Sequence, residues 1–279
     1  MKVTIIGIGL IGGSMAIALR EKGLAKQIIG VEANAAHAEQ AIALQLVDEI
    51  KTLESTVRES DLIILAIPVN SGENILPKIL DLVNKQVVMD VGSTKLSICA
   101  TADGHPNRKR FVATHPMWGT EFSGPQAAIP GAFIGKGVII CDKDKSDADA
   151  LTLVEEVYRT IGMHLLYMNA AAHDLHAAYV SHISHITSFA LANTVLEKER
   201  EEDAIFEMAS TGFESTVRLA KSNPDMWVPI FMQNRENVLD VLNEHISQLK
   251  KFKSCLEKEN YDFLQELIVN ANKISKIIG

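Results

Sequence analysis

Cysteine is scarce in this 279-residue chain: Cys99, Cys141 and Cys255 are odd in number and far apart, with no paired spacing. That excludes a disulfide framework and a thiolate metal cluster, and it fits a reducing, cytoplasmic setting. Long hydrophobic runs are missing too. Apart from the N-terminal run, the longest is Leu62 to Val69, far short of a membrane span, so no membrane partner is expected. Positive charge is in deficit, with 27 Lys and Arg against 35 Asp and Glu and a net charge of −8. Nucleic acid is therefore not the expected partner, and any anionic ligand must be held by local donors. No internal repeat or low-complexity tract is present. The chain does have ample apolar material: at 47% hydrophobic and 22% charged it can fill the cores of two ordinary domains.

The most informative stretch is at the start, where Lys2-Val-Thr-Ile-Ile6 runs into Gly7-Ile-Gly9-Leu10-Ile11-Gly12-Gly13-Ser14. Gly7 permits a tight strand-to-helix turn, Gly9 lets backbone approach a pyrophosphate, and Gly12 lets the next helix pack closely. The helix N-terminus, with Leu10 and Ile11 in its first turn, then points free N–H groups at phosphates. Twenty residues past Gly12, Glu32 ends a second apolar run, placed to accept both ribose hydroxyls. Its charge opposes a 2′-phosphate and no Arg follows within Ala33 to Ala38, so NAD is expected over NADP. The same stretch imitates a short secretory signal, but cleavage after it would remove the nucleotide motif, and glycines break its apolar run.

Up to about residue 167, β-rich runs alternate with helical patterns: Thr4–Ile6, Ile28–Val31, Leu62–Ala66, Val87–Asp90, Phe111–Ala113, Val138–Cys141 and Met163–Tyr167. The alternation predicts βαβ units and, over the earlier runs, a parallel sheet that binds ligand outside its strand C-termini. Pro68 stops one buried strand, either beside the cofactor cleft or as an ordinary loop proline. From Asn169 strand-like runs cease and apolar residues recur at three and four over 170–196, 203–220, 227–250 and 256–277. This predicts an α/β, Rossmann-type N-terminal domain over 1–167 and an all-α domain over 168–279. The charge clusters 197–203 and 250–253 are expected as solvated helix joins. The greasy helices predict a homodimer through the second domain, although packing on the first would also hide them.

Two loops that follow strands carry unusual chemistry, Asp90-Val-Gly-Ser93-Thr94-Lys95 and Thr114-His115-Pro116-Met117-Trp118-Gly119-Thr120-Glu121. A histidine at a strand mouth suits a base, because its ordinary pKa of about 6.5 lets it take a hydroxyl proton near neutrality. Ser93 either orients that imidazole and the substrate hydroxyl or caps the next helix. The helical half supplies Ser181-His182-Ile-Ser184-His185. Metal is not expected there, because no third ligand stands nearby and the HExxH spacing is absent; hydrogen bonds to a carboxylate or keto group suit these residues better. Arg218 offers a planar fork to a ligand carboxylate or to an Asp or Glu.

With these motifs in view, the chain resembles the prephenate/arogenate dehydrogenase family along almost its whole length. The resemblance rests on GIGLIGGS, DVGSTK, THPMWGTEFSG, the SHISH helix and TVRLAKSNPDMW, in the family's order. It implies an NAD-dependent dehydrogenase of tyrosine biosynthesis, with a nucleotide-binding domain joined to a helical domain that dimerises and a small cyclohexadienol between them. By the same resemblance His115 takes the proton of the C4 hydroxyl, Ser93 orients both groups, and Arg218 anchors the ring carboxylate. His185, Thr120, Glu121 and Trp227 line the pocket, Trp227 near the substrate side chain. That side chain is pyruvyl in prephenate or alanyl in arogenate, and prephenate is expected.

The chain departs from the family pattern in two places. Gly212-Phe213-Glu214-Ser215 lacks the Asp that related sequences often carry after a basic residue, which weakens an ionic gate and a gating role for Glu121. Ile183-Ser184 replaces a common Leu-Pro, which is expected to straighten the helix. Feedback by tyrosine is expected only at the active site, since no mutase or regulatory segment is anticipated at either end. A β-hydroxyacid dehydrogenase would generally use a lysine on the first long helix of the second domain, and 170–196 has none. A non-catalytic dinucleotide-binding dimer would keep Gly7, Gly9 and Glu32 but would not need His115, Ser93 and Arg218 together.

Overall fold

The computed structural model describes residues 1–200 and 205–277. Residues Glu201, Glu202 and Asp203 of the first charge cluster thus lie outside the described residues. Two compact units are formed, Met1–Asn234 and Arg235–Gly279. The composition change expected at 167/168 and this division by compactness differ, because the helices up to residue 234 pack in one unit with the sheet.

The first unit is built on an eight-stranded sheet in the order β3-β2-β1-β4-β5-β6-β7-β8. Its strands are β1 (Lys2–Ile6), β2 (Gln27–Val31), β3 (Glu49–Ile50), β4 (Leu62–Leu65), β5 (Val87–Asp90), β6 (Phe111–Pro116), β7 (Gly137–Cys141) and β8 (His164–Met168). The helices threaded between them are α1 (Leu10–Glu21), α2 (Ala35–Ala43), α3 (Leu53–Val57), α4 (Val69–Leu82), α5 (Leu96–Asp103) and α6 (Ala148–Thr160). Every strand pair is parallel except β6 with β7, where His115 stands opposite Ile139. The expected strands are all present; β3, only two residues long, is additional. Thr114, His115 and Pro116 belong to the end of β6, not to the loop after it, because the antiparallel partner carries the ladder on to Pro116.

Both sheet faces are covered, which is why β4 is apolar at every position: Leu62, Ile63, Ile64 and Leu65 are all buried. One core holds Val3, Ile5, Met15, Leu19 and Tyr158, and the other Ile63, Leu76, Ile79 and Phe111. Strand order reverses between β1 and β4, and that switch point opens a crevice beyond their C-terminal ends.

Beyond the sheet come α7 (Ala170–Ala177), a π-helical turn (Ala178–His182), α8 (Ile183–Glu199), α9 (Thr211–Val217), a 3₁₀ turn (Arg218–Lys221) and α10 (Pro224–Gln233). Asn169 caps α7 by accepting from Ala172 N at 2.7 Å, and Asn223 with Pro224 starts α10, the asparagine accepting from Asp225 N at 2.8 Å. The helix expected over 227–250 is broken at Asn234, whose side chain turns inward instead of continuing the helix face. The second unit is a hairpin of α11 (Arg235–Glu257) and α12 (Tyr261–Asn272), with Glu259 at φ +50° in the turn and Asn260 capping α12. No described helix is long and apolar enough to cross a membrane.

The glycine loop shows why α1 can pack so tightly. A Cβ on Gly12 would stand 2.0 Å from the Gly7 carbonyl oxygen, whereas one on Gly9 meets nothing within 4 Å. We predict that Gly12→Ala lowers stability by about 2 kcal/mol, roughly 4–8 °C in Tm. Gly9→Ala should melt with the parent protein; equal melting of the two variants by calorimetry would refute the packing role.

Candidate active site

The dinucleotide half of the site lies at the switch point. Gly7 takes φ +89°, a conformation that favours glycine, and its N–H bonds Val31 O at 2.8 Å. Glu32 folds back on this loop, accepting from Ile8 N at 2.9 Å and Asn34 N at 3.0 Å. The N-terminus of α1 has no side-chain cap and no acidic residue in its first turn. Gly9 faces open space where a side chain would otherwise stand. Uncapped N–H groups, a vacant Cβ direction and a carboxylate at the end of β2 together fit a dinucleotide. Leu10 and Ile11 are half-buried in that first turn, and Pro68 is exposed at the start of α4. A small cavity lined by Ile67, Val69, Asp90, Gly92 and Thr94 opens at the ends of β4 and β5.

The imidazole of His115 is almost fully buried. Its Nδ1 lies 2.8 Å from His173 Nε2, and His173 Nδ1 lies 2.7 Å from Asp174 Oδ1. Asp174 also accepts from Lys95 N at 2.7 Å and Leu96 N at 2.9 Å, so a carboxylate on α7 caps α5. Ser93 does not cap that helix; it stands half-buried just before it. Beneath the loop, the Lys95 ammonium is fully buried and paired with Asp90, and it also donates to Thr114 O at 2.8 Å. Asp90 in turn accepts from Thr114 N at 3.1 Å and Gly92 N at 2.9 Å. This network clamps the ends of β5 and β6, where Ser93 and His115 stand.

Asn234 Nδ2 donates to Asp174 O at 2.7 Å and lies 3.1 Å from His182 Nδ1. A carbonyl can only accept, so the amide N–H₂ faces both groups, and His182 Nδ1 is an acceptor with its proton on Nε2. The π turn makes this possible. In a plain α-helix, eight residues from Asp174 to His182 would carry the side chain about 80° round; one residue taken up by the wider turn brings it back to within about 20°. The helix expected to run straight through 170–196 is therefore interrupted just before Ile183.

His185 donates from Nδ1 to Ser181 O at 3.1 Å, and its ring stacks on Trp227, centroids 3.4 Å apart. His182 meets the same indole edge-on at 6.0 Å. Trp227 is buried and its Nε1–H has no partner among the described residues. Arg218 Nη1 bonds Glu121 Oε2 at 2.8 Å, with the arginine side chain half exposed. Thr120 Oγ1 accepts from Phe122 N, while the uncharged Ser215 donates to Gly212 O. Glu121 thus has an ionic partner in Arg218. An exposed pair of this kind holds by about 0.2–1 kcal/mol, less than a charge-assisted bond to a ligand carboxylate.

His173, Asp174, Asn234 and Lys95 were not among the residues singled out from sequence. The adjacent pair His173-Asp174, one turn after a capping Asn169, is the only local signal of the first two. Among the described residues no group of three or more His, Cys, Asp and Glu is arranged to hold a metal ion.

Burial holds the pKa of His115 well below the ordinary value, and the neighbouring His173 ring and Lys95 further oppose a positive charge there. Burial also lowers His173 and His185, and it brings His182 down to about 4. All four are neutral in the fold, but the unfolded chain takes up protons below about 6.5. Stability should therefore fall as pH drops from 7 to 5, by at most about 1.4 kcal/mol per pH unit for each histidine. Urea midpoints measured across that range check this, and a flat profile would refute it.

Family models match both halves of the chain: residues 15–167 fit the nucleotide-binding domain of prephenate dehydrogenase and 169–270 its dimerization domain. A prephenate dehydrogenase of Bacillus subtilis is 31% identical over 95% of this chain and 73% of its own length. A cyclohexadienyl dehydrogenase of Zymomonas mobilis is 28% identical over 97% of this chain and 94% of its own. The crystal structure of the A. aeolicus prephenate dehydrogenase, in complex with hydroxyphenyl propionate and NAD+, superposes with a TM-score of 0.91 at 31% identity, covering 100% of this chain and 98% of that one. With both halves matched and one fold shared from end to end, the chain belongs to the prephenate dehydrogenase family.

Proposed function

We propose that this chain is an NAD-dependent prephenate dehydrogenase, converting prephenate to 4-hydroxyphenylpyruvate and CO2, and that His115 is its base. The observation that carries this reading is a buried, neutral imidazole at the C-terminal end of β6, on the same edge of the sheet as the dinucleotide crevice and held from its Nδ1 side. The glycine turn and Glu32 would hold NAD, which would supply the acceptor for the C4 hydride. His115 takes the C4 hydroxyl proton as that hydride leaves, so a carbonyl forms without a high-energy alkoxide. The ring carboxylate then departs as CO2, its bonding pair aromatises the ring, and the proton returns from His115 to the phenolate oxygen. Aromatisation drives the second stage, so the protein mainly fixes geometry. Ser93 orients the hydroxyl.

Arg218 anchors the ring carboxylate by exchanging Glu121 for it. Trp227 Nε1–H, buried without a partner, suits the acceptor oxygens of a pyruvyl side chain, and His182 with its proton on Nε2 offers a second donor. His185, Ser181, Thr120 and Glu121 complete the pocket. The Trp227 and His182 N–H donors suit keto and carboxylate oxygens and offer nothing to an ammonium, which favours prephenate over arogenate. Gly7, Gly9, Leu10, Ile11, Gly12, Glu32 and Pro68 hold the dinucleotide, with Glu32 disfavouring a 2′-phosphate. We also propose residues 1–167 as the nucleotide-binding domain and 168–279 as the substrate and dimerisation domain of a cytoplasmic homodimer. Leu249, Leu256 and Val269 are exposed in the second unit, and the three cysteines are free.

NADH formation at 340 nm should be faster with prephenate than with arogenate, and no turnover of either would overturn the proposal. His115→Asn should lower kcat by about 10³-fold with NAD affinity within about twofold of the parent. Loss of cofactor binding instead would remove His115 from the chemistry. Arg218→Ala should raise KM for prephenate by about 10- to 100-fold, the worth of one charge-assisted contact; an unchanged KM would exclude Arg218 from the pocket.

A further inference from the structure

We infer that His173 is a positioning residue that fixes the proton of neutral His115 on Nδ1, leaving Nε2 bare for the substrate hydroxyl. The argument begins at Asp174. Its carboxylate accepts from the backbone N–H groups of Lys95 and Leu96, and these donors, like the His173 ring, interact with the ionised form. Although burial works against that charge, the carboxyl is still held below its usual range, the His173 bond being the largest of the opposing effects. An ionised carboxylate only accepts, so His173 Nδ1 bears a proton.

His173 is fully buried and its pKa is lowered, chiefly by burial, so the ring is neutral and its other nitrogen, Nε2, has a lone pair. His115 Nδ1 stands 2.8 Å from that lone pair and must therefore be the donor. The opposite assignment would set two lone pairs face to face. Since His115 is also neutral, the proton on Nδ1 leaves Nε2 unprotonated. A free imidazole favours the other tautomer, with its proton on Nε2, where it cannot act as a base through that atom. The relay from Asp174 through His173 reverses this preference. Once His115 has taken the substrate proton, the same hydrogen bond lets the buried Asp174 charge offset the imidazolium.

The inference rests on His115 being the base, but the tautomer is measurable without turnover, so the two readings fail separately. Protein labelled with ¹⁵N-histidine, with the His115 signals identified by their loss in His115→Asn, should show the proton on Nδ1 in the parent enzyme. His173→Leu should shift it to Nε2 and cut kcat on the order of 100-fold, with KM for prephenate and NAD within about twofold. His173→Gln keeps an acceptor oxygen and should recover kcat to within about tenfold of the parent. A proton on His115 Nε2 in the parent enzyme would overturn the inference, as would parental kcat in a folded His173→Leu enzyme. The parent spectrum decides the matter even if both variants fail to fold.

Discussion

The Asp174 carboxylate is the junction on which the site depends. Buried on α7, it receives three N–H groups: two from the first turn of α5 and one from the His173 ring. Its own carbonyl takes a fourth, from Asn234 between α10 and α11. One residue thereby ties the loop after β5, the His115 relay and the end of α10 to a single point. An uncompensated carboxylate at such depth would cost several kcal/mol, so each partner is also a condition of its burial. The Lys95–Asp90 pair beneath it is a second buried charge pair with additional hydrogen bonds, and it holds the ends of β5 and β6 in register.

The site is assembled from local donors in a chain whose net charge is −8. In the proposed reading, the dinucleotide half relies on backbone N–H groups at the glycine turn and on Glu32, which bonds that turn. The other half relies on a buried indole N–H, neutral histidines and one arginine held by Glu121. Because the Arg218 pair is half exposed it is loosely held, whereas the histidine network is dry and stiff. On the proposed roles of Arg218 and His115, the pocket combines an exchangeable anchor with a rigid base.

The glycine turn, Glu32 and the parallel sheet were legible in the sequence because each is a local pattern: glycines at fixed spacing, then apolar runs alternating with amphipathic ones. His115 and Arg218 were visible through their places at a strand end and within an apolar stretch. The relay was not, because His173 and Asp174 matter only through contacts 58 and 78 residues away in the chain. Asn234 was hidden inside an apparently continuous helical pattern, and only its inward hydrogen bonds explain the break. The antiparallel pairing of β7 has the same origin, since Val138 to Cys141 is as apolar as its parallel neighbours and its direction follows from the chain path after Pro116.

The π turn between α7 and α8 carries a further consequence. It keeps two segments in phase by absorbing one surplus residue, so the number of residues between Asp174 and His182 matters as much as their identity. Shortening this stretch by one would yield a more regular helix in nearly the same angular phase, whereas winding it as plain α-helix at its present length would swing the SHISH segment about 80° away from the Asn234 amide and the Trp227 ring. Chain length itself is encoded here: the irregular backbone acts as a spacer, setting the angular phase between the His173–Asp174 pair and the SHISH segment.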